Sequence, residues 1–259
     1  MGGLEERFGG QRTLFIPYMT GGFPNLSKSE SILRAMAEEG VKVMEVGIPF
    51  SDPIADGITI QEATSTALSS GATPRKILDM ISRITSSYDV SIVLMTYLNP
   101  VYRFGVDRFL EKMREKGASG IIIPDLPLEE SHIIKLPAKK HDVSLILLAA
   151  PTTSDARLRR ILEESMGFTY LVSLKGTTGE RSQIPKTAYR IIRRAKSLAP
   201  SRRIAIGFGI SSPQHAKDLA KQGADGIIVG SKIISSIRND PENAESRIRD
   251  LVKSFLKVL

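Results

Sequence analysis

The segments "GASGIIIP" (residues 117–124) and "GADGIIVG" (residues 223–230) are two similar units in distant parts of the chain. In each, a glycine precedes a short run rich in isoleucine and valine, which is typical of a parallel strand buried on both faces. In the order of predicted strands they are the fourth and the eighth. A repeat separated by half of the strands favours a closed eight-stranded barrel over an open sheet.

The rest of the chain alternates β-rich apolar runs with segments of helical apolar spacing, such as "TPRKILDMISRIT" (residues 73–85). We therefore predict an α/β fold, a single (β/α)8 TIM barrel with a short N-terminal extra segment, forming one domain over residues 1–259. The strands are predicted near residues 13–19, 41–47, 91–96, 120–124, 143–149, 168–173, 203–207 and 225–229. Helices are predicted to end at glycines just before strands, namely Gly40, Gly117, Gly167 and Gly223.

The first predicted strand, "LFIPYMT" (residues 14–20), contains a proline. Because Pro17 has no backbone N–H, it removes one donor from the ladder of a central strand. We therefore expect this strand to be irregular.

Composition excludes several classes of protein. The chain has 259 residues, 41% of them hydrophobic, and no cysteine, which rules out a disulfide framework and thiolate chemistry. No apolar run approaches the roughly 20 residues that a transmembrane helix needs. The N-terminal stretch "MGGLEERFGGQR" (residues 1–12) is polar and lacks the apolar region of a signal peptide. We expect a cytoplasmic protein with no membrane association.

The net charge of +8 could suit an anionic ligand or a nucleic acid. The densest basic cluster, "RIIRRAKSLAPSRR" (residues 190–203), fits the outer face of one amphipathic helix. Aromatic residues that stack on bases are not interleaved there. The cluster is interpreted as a solvated helix face, and no nucleic-acid partner is predicted.

Function in a barrel of this kind lies at the carboxyl ends of the strands. Strand six is followed by "SLKGTTGERSQIP" (residues 173–185), strand seven by "GFGISSP" (207–213) and strand eight by "GSKIISSI" (230–237). Glycines let backbone N–H groups approach an anion, and a helix N-terminus adds favourable partial charge. The predicted phosphate site comprises Gly209, Ser211, Gly230 and Ser231. The alternative is that these residues form ordinary caps and turns.

Three acids stand close together in "VMEVGIPFSDPIADG" (residues 43–57). Glu45 interrupts an apolar strand and shares a face with Val43; if that face lines the barrel, burial would raise its pKa and suit it to proton transfer. The alternative is a paired structural carboxylate. Asp52 and Asp56 follow in a loop, where Asp56 could equally cap the next helix.

Other chemistries have weaker support. His132, His141 and His215 lie far apart without metal-ligand spacing, so no metal site is predicted. For a Schiff base, Lys42 is at the wrong end of its strand and Lys175 is in a loop expected to face solvent. No G-x-G-x-x-G motif follows the first strand, so a dinucleotide site is unsupported.

The carboxylate segment is part of a longer likeness. "EVGIPFSDPIADG" (residues 45–57) resembles the signature of the tryptophan synthase alpha chain family, and the resemblance extends over nearly the whole chain. The further matching segments are "FIPYMTGGFP" (15–24), "MTYLNPVYRFG" (95–105), "IIIPDLPLEES" (121–131), "YLVSLKGTTGER" (170–181), "GFGISSP" (207–213) and "IIVGSKII" (227–234).

The resemblance implies a lyase that cleaves indole-3-glycerol phosphate into indole and D-glyceraldehyde 3-phosphate by a retro-aldol reaction. It implies that Glu45 is the general acid–base, that Asp56 stabilises positive charge on the indole N–H, and that Tyr170 is an active-site tyrosine. It places Tyr18, Tyr97, Ile122 and Leu148 at the indole pocket, and Gly179, Gly209, Gly230 and Ser231 at the phosphate.

The resemblance also implies a partner. This is a beta chain that carries pyridoxal phosphate and takes up indole through a tunnel, in an α2β2 heterotetramer, and Asp52 would lie in the loop that signals to it. The chain itself is expected to carry no cofactor. Two features depart from the family pattern, Ile58 where proline is usual and "LKGTTG" (residues 174–179) in the sixth loop.

Two other functions remain open at this stage. One is a different phosphate-binding barrel enzyme, such as a phosphosugar isomerase or epimerase, which should lack the carboxylate signature. The other is a chain that mainly binds and activates a beta-type partner with little catalysis of its own. Retention of both Glu45 and Asp56 argues against the second.

Overall fold

The computed structural model describes residues 3–10, 12–172, 184–207 and 209–259. Within these residues, nine parallel strands form one sheet. The strands are β1 (Leu14–Thr20), β2 (Val43–Gly47), β3 (Ser91–Met95), β4 (Ala118–Ile122), β5 (Ser144–Ile146), β6 (Leu148–Ala149), β7 (Thr169–Val172), β8 (Ile204–Gly207) and β9 (Gly226–Val229).

The sheet closes into a barrel through one segment of chain. Its order is β5-β4-β3-β2-β1-β9-β8-β7-β6, so its two outermost strands are β5 and β6, which are consecutive parts of residues 144–149. β5 pairs with β4 and β6 pairs with β7. The predicted eight-stranded barrel is confirmed, with its fifth strand divided in two at Leu147. That division coincides with a side-chain contact, because the Leu147 N–H donates to the Ser165 hydroxyl instead of a neighbouring strand.

The first strand is regular, so the expectation drawn from Pro17 was wrong. Residues from Leu14 to Pro17 pair with β9, and pairing with β2 begins only at Tyr18. Pro17 therefore lies where the pairing passes from one neighbour to the other, and its missing N–H is tolerated there.

Helices surround the barrel and bury their apolar faces against it. The four glycines predicted to end helices all adopt positive φ, between 71° and 95°. The helices are α1 (Leu4–Arg7), α2 (Leu26–Glu38), α3 (Ile58–Ser69), α4 (Pro74–Thr85), α5 (Leu98–Phe104), α6 (Val106–Glu115), the 3-10 turn η1 (Leu128–Glu130), α7 (His132–Lys140), α8 (Asp155–Glu164), α9 (Lys186–Leu198), α10 (Pro213–Lys221), α11 (Ser231–Asn239) and α12 (Ala244–Leu256).

The short N-terminal segment closes the amino end of the barrel. Leu4 of α1 is buried, and so is Phe8, whose ring lies 5.4 Å from that of Phe168. A side chain on Gly120 of β4 would lie within 3.1 Å of Leu4, so the glycine leaves room for the leucine. The bottom of the barrel is thus sealed, which leaves the carboxyl end for a ligand. Among the described residues no helix is long and apolar enough to span a membrane.

Candidate active site

A cleft opens at the carboxyl ends of the strands. It is framed by β1, β2 and β3 on one side and by β7, β9 and the loop after β8 on the other. The lining residues are Tyr18, Glu45, Asp56, Ile60, Met95, Tyr170, Gly209, Ile210, Ile228, Gly230 and Ser231. This set brings together two carboxylates, two tyrosines and two glycine-containing loops from separate parts of the sequence.

Glu45 lies at the centre of β2, between Tyr18 on β1 and Val93 on β3. Its side chain lines the cleft and the residue is only 1% exposed. Its Oε2 atom has no hydrogen-bond partner among the described residues. Burial first, and then the negative charge of Asp56, raises the pKa of Glu45 to about 8. At neutral pH the side chain is therefore mostly protonated and can donate a proton into the cleft.

Asp56 faces the same cleft from the loop after β2 and is 6% exposed. Burial raises the pKa of Asp56 to about 6, and the hydrogen bond donated by the Tyr97 hydroxyl to Asp56 Oδ2 at 3.1 Å opposes that rise. Asp56 is therefore mostly ionised at neutral pH. Gly57, and not Asp56, is the N-cap residue of α3, so the alternative capping role is not the one the fold uses.

The two carboxyl groups thus occupy opposite protonation states at one pH. A buried acid without a pairing cation holds its proton, while its neighbour, held by a phenol, releases one. Two carboxyl groups whose pKa values differ in this way can act, one as a general acid and the other as an electrostatic stabiliser of a cation. Glu45 and Asp56 therefore bring one protonated carboxyl group and one negative charge to the same cleft.

Both tyrosines of the cleft depend on a glycine of the neighbouring strand. A Cβ atom on Gly47 would lie 2.4 Å from the Tyr18 hydroxyl, and one on Gly207 would lie 2.2 Å from the Tyr170 hydroxyl. Burial raises the pKa of both phenols well above the usual value, so they stay neutral. Tyr18 and Tyr170 can therefore contribute ring surface and hydroxyl groups but no charge.

The opposite wall of the cleft has the character of an anion site. Gly230 and Ser231 lie at the start of α11, whose N-terminus faces the cleft, and Gly209, with φ of 80°, lines the cleft from the loop after β8. Unpaired N–H groups and positive partial charge at a helix N-terminus favour a phosphate. Ser211 is not among the cleft-lining residues and precedes Ser212, the N-cap of α10.

The sequence profile of the family described as "Tryptophan synthase alpha chain" matches residues 6–257. The chain belongs to the tryptophan synthase alpha chain family. Tryptophan synthase alpha chains from distant organisms are similar to this chain over most of its length. A tryptophan synthase alpha chain of Pyrococcus abyssi is 42% identical over 93% of this chain and 96% of its own length, and that of Arabidopsis thaliana is 38% identical over 96% and 91%.

Solved structures of the tryptophan synthase family have the same fold. A chain of the tryptophan synthase a2b2 complex of Pyrococcus furiosus has a TM-score of 0.89 and 41% identity, covering 95% of this chain and 98% of that one. A chain of Mycobacterium tuberculosis tryptophan synthase also has a TM-score of 0.89, at 32% identity, covering 98% and 95%. The barrel described above is therefore the fold of this family.

Three residues that the family resemblance placed at the indole pocket are not among those that line the cleft, and a fourth, placed at the phosphate, falls outside the described residues. Tyr97 lines a smaller cavity that adjoins the cleft and shares Tyr18 and Asp56 with it. Ile122 is fully buried in β4, and Leu148 lines a separate groove beside β6 and α8. Gly179 and the "LKGTTG" segment (residues 174–179) fall outside the described residues.

The outer part of the loop after β2 faces solvent. Asp52 is exposed and its Oδ2 accepts a hydrogen bond from the neighbouring Ser51 hydroxyl at 2.5 Å. Ile58, which replaces the usual proline of the tryptophan synthase alpha chain family, is 72% exposed, and Ile54 is 76% exposed. None of these three side chains lines the cleft that Asp56 enters.

Sequence reasoning missed four apolar residues that line the cleft, Ile60, Met95, Ile210 and Ile228. Their positions carry a weak signal, since each lies at or near the carboxyl end of a strand or in the first turns that follow. Apolar residues at such places are equally expected in the core of any barrel. Only the three-dimensional structure distinguishes those that line the cleft from those that belong to the core.

Proposed function

We propose that the chain catalyses the alpha reaction of tryptophan synthase, the cleavage of indole-3-glycerol phosphate into indole and D-glyceraldehyde 3-phosphate in L-tryptophan biosynthesis. One observation carries this proposal beyond family membership. A protonated Glu45 and an ionised Asp56 share a cleft whose opposite wall is the N-terminus of α11. This is the arrangement that an indole ring at one end and a phosphate at the other require.

In the proposed mechanism Glu45 is the general acid–base. It protonates C3 of the indole ring, which makes the ring a cation and the glycerol side chain a leaving group. The Glu45 carboxylate left by that transfer takes the proton of the adjacent glycerol hydroxyl, which forms the aldehyde as the carbon–carbon bond breaks, and the bonding electrons return to the ring. No co-reactant is consumed, since the proton added to C3 is balanced by the proton lost from the hydroxyl.

Asp56 is proposed to stabilise the positive charge that develops at the indole N–H. An ionised carboxylate in a largely buried position interacts strongly with such a charge because little solvent screens it. Tyr170 and Tyr18, both neutral, are proposed to pack against the substrate beside Glu45. Tyr97, Ile122 and Leu148 remain proposals as indole-pocket residues, as does Gly179 at the phosphate.

The phosphate is proposed to bind where Gly209, Gly230 and Ser231 meet. The three positions support this because they bring backbone N–H groups and a helix N-terminus to one wall of the cleft. We expect no cofactor in this chain and no metal. Among the described residues, no cluster of three or more metal-binding side chains occurs.

The partner is the tryptophan synthase beta chain, which carries the pyridoxal phosphate, and we propose an α2β2 assembly. Large apolar side chains are exposed beside the cleft, Ile54 and Ile58 after β2 and Tyr102 in α5 after the adjacent β3. Exposed apolar groups clustered on one face are typical of an interface. We propose that this face, with Asp52, contacts the beta chain.

Two coarser properties are also proposals. Because the described strands form one sheet around one core, we propose that residues 1–259 form a single domain. We propose a cytoplasmic location, as is usual for a biosynthetic enzyme of this kind.

The deciding experiment is an indole-release assay on the purified chain, with and without a tryptophan synthase beta chain. We expect release from indole-3-glycerol phosphate by the chain alone and faster release in the complex. A chain that releases no indole in either condition, yet stimulates the beta chain, would support the non-catalytic alternative. Turnover of a phosphosugar instead would support the isomerase or epimerase.

A further inference from the structure

Tyr97 joins two parts of the carboxyl end of the barrel at one hydroxyl group. It is 4% exposed, follows β3, and is the N-cap residue of α5. Its hydroxyl donates to Asp56 Oδ2 at 3.1 Å and accepts the backbone N–H of Ala55 at 3.0 Å. One phenol thus fixes both the side chain of Asp56 and the backbone immediately before it.

The ring of Tyr97 is itself held in place. It packs against Phe50, with the ring centroids 5.6 Å apart. Phe50 belongs to the loop that carries Asp56, so this contact fixes the ring against that loop. On the other side, the backbone N–H of Leu98 donates to Asp125 Oδ1 at 2.9 Å. Because Tyr97 offers no side-chain cap to α5, Asp125 supplies that cap from the loop after β4.

We propose that Tyr97 is a positioning residue for Asp56, and that Asp125 fixes Tyr97 in turn by capping α5. This inference rests on the proposed function and extends it, because it assigns a role to Tyr97 other than contact with the indole ring. It also brings in Asp125, a residue of the "IIIPDLPLEES" segment (residues 121–131) that the sequence singled out without any role.

The arrangement has a specific chemical consequence for Asp56. A phenol O–H that donates to a carboxylate stabilises its ionised form, and it does so most strongly where water is excluded. Among the described residues, the other titratable groups that interact with Asp56 are Glu45, Tyr18 and Tyr170, all neutral at pH 7. Loss of the Tyr97 hydroxyl therefore leaves the charge of Asp56 less stabilised, and its pKa should rise.

The test is the pH dependence of kcat/KM for the full-length chain and its Tyr97→Phe variant. In the wild type we expect an acidic limb near 6, from Asp56, and an alkaline limb near 8, from Glu45. In Tyr97→Phe we expect kcat/KM to fall roughly tenfold or more, as for a hydrogen bond to a charged group. The acidic limb should move upward by about one pH unit.

A matched control separates this effect from the general loss of a phenol. Tyr88→Phe removes a hydroxyl that donates to Glu38 at 2.8 Å on the protein surface, far from the cleft. It should leave the profile unchanged. If Tyr97→Phe lowers kcat/KM but leaves the acidic limb at its wild-type pH, Tyr97 acts only on packing and the proposal is overturned.

Asp125 gives a second test that leaves the Tyr97 hydroxyl intact. Asp125→Ala removes the cap, and we expect a loss in kcat/KM of about threefold to fivefold with a smaller upward shift of the acidic limb, because the Tyr97 hydroxyl is displaced but still present. Asp125→Asn keeps a carbonyl oxygen that can accept from Leu98, so it should restore most of that loss. Equal profiles for the alanine and asparagine variants would overturn the role of Asp125.

The two levels of inference fail in different ways. If the wild type releases no indole with or without a beta chain, the proposed function fails. If the wild type is active but the Tyr97→Phe and Asp125→Ala variants keep the wild-type acidic limb, only the positioning role fails.

Discussion

The two ends of the barrel treat their carboxylates in opposite ways. At the amino end, acids that precede strands are paired with several cations. At the carboxyl end, Glu45 and Asp56 are buried beside each other without a pairing cation among the described residues. The contrast distinguishes acids that stabilise the fold through ion pairs from acids whose burial costs folding free energy.

At the amino end, Asp225 precedes β9 and is a hub of polar contacts. It pairs with Lys196 at 2.7 Å and Arg203 at 3.1 Å, and it accepts the backbone N–H of Ile204 at 2.8 Å. Asp89, just ahead of β3, is paired with Arg7 and Lys42, and these contacts hold the pKa of Asp89 far below its usual value. The carboxylate oxygens of both acids are thus engaged by cationic or backbone donors.

At the carboxyl end, burial acts without compensation on Glu45. Its pKa rises to about 8, and the molecule retains an acid that is protonated at neutral pH. Buried acids whose pKa values are strongly perturbed cluster at functional sites. The difference between the two ends therefore points to the cleft as the site of chemistry, independently of the family assignment.

The largest effect is expected from Glu45→Gln. The substitution keeps the shape of the side chain but removes its ability to exchange a proton, so kcat for indole release should fall by about a thousandfold or more. The assay is the indole-release rate, with far-UV circular dichroism to show that the fold is kept. Glu115→Gln, at an exposed residue of α6 paired with Lys112, is the matched control and should be fully active. Near-normal indole formation by Glu45→Gln would end the assignment.

Stability against pH gives the next effect. The pKa of Glu45 is about 8 in the folded protein and about 4.5 in the unfolded chain. The protonated side chain therefore contributes fully to the free energy of unfolding below about pH 4.5, and this contribution is lost as the pH rises through about 8. Between pH 5 and pH 9 the wild type should lose roughly 4 kcal/mol more unfolding free energy than Glu45→Gln does. Urea unfolding at several pH values measures this. Parallel curves for the two proteins would show that Glu45 is not held protonated.

Asp225→Ala tests the opposite end of the barrel. It leaves the Ile204 N–H and the Lys196 ammonium without their shared partner, so the free energy of unfolding should fall by about 2–3 kcal/mol. The kcat for indole release should stay at the wild-type level, since the cleft is untouched. Asp89→Asn is the milder control, expected below about 1 kcal/mol because its ion pairs are exposed to solvent. A loss of kcat in the folded Asp225→Ala protein would remove the distinction between the two ends.

The smallest effect is expected at the phosphate wall. Ser231→Asp places a negative charge at the start of α11, where the phosphate is proposed to bind, and like-charge repulsion should raise KM about tenfold. Steady-state kinetics on indole-3-glycerol phosphate measure it. Ser27→Asp is the control, because Ser27 is also in a first helical turn but lies in α2, outside the cleft. An unchanged KM for Ser231→Asp would show that the phosphate does not bind at the N-terminus of α11.

Much of the barrel could be predicted from patterns along the chain. The apolar runs, the helix-ending glycines and the repeat in residues 117–124 and 223–230 act locally, and their strands appear where expected. The irregular first strand predicted from Pro17 was wrong, because the effect of a proline depends on which neighbouring strand is paired at that residue. The division of the fifth strand at Leu147 depends on Ser165, a contact that no local pattern carries.

The candidate site divides in the same way. Glu45 stood out in sequence because a carboxylate inside an apolar strand is costly anywhere. Asp56 did not stand out in the same way, since a loop aspartate before a helix could equally be a cap, and only the family resemblance gave it a role. The structure adds its burial in the cleft and the hydrogen bond from Tyr97, which follows another strand.

The sequence by itself determined the succession of strands and helices, the expected barrel, the family resemblance and the presence of an anomalous acid in a strand. These follow from local propensity and from the cost of placing particular side chains in particular backbones. Only the tertiary structure decided that Glu45 is protonated while Asp56 is ionised, and that Gly47 and Gly207 leave room for Tyr18 and Tyr170. Protonation and close packing depend on distance and burial, and the groups that set them come from strands far apart in the chain.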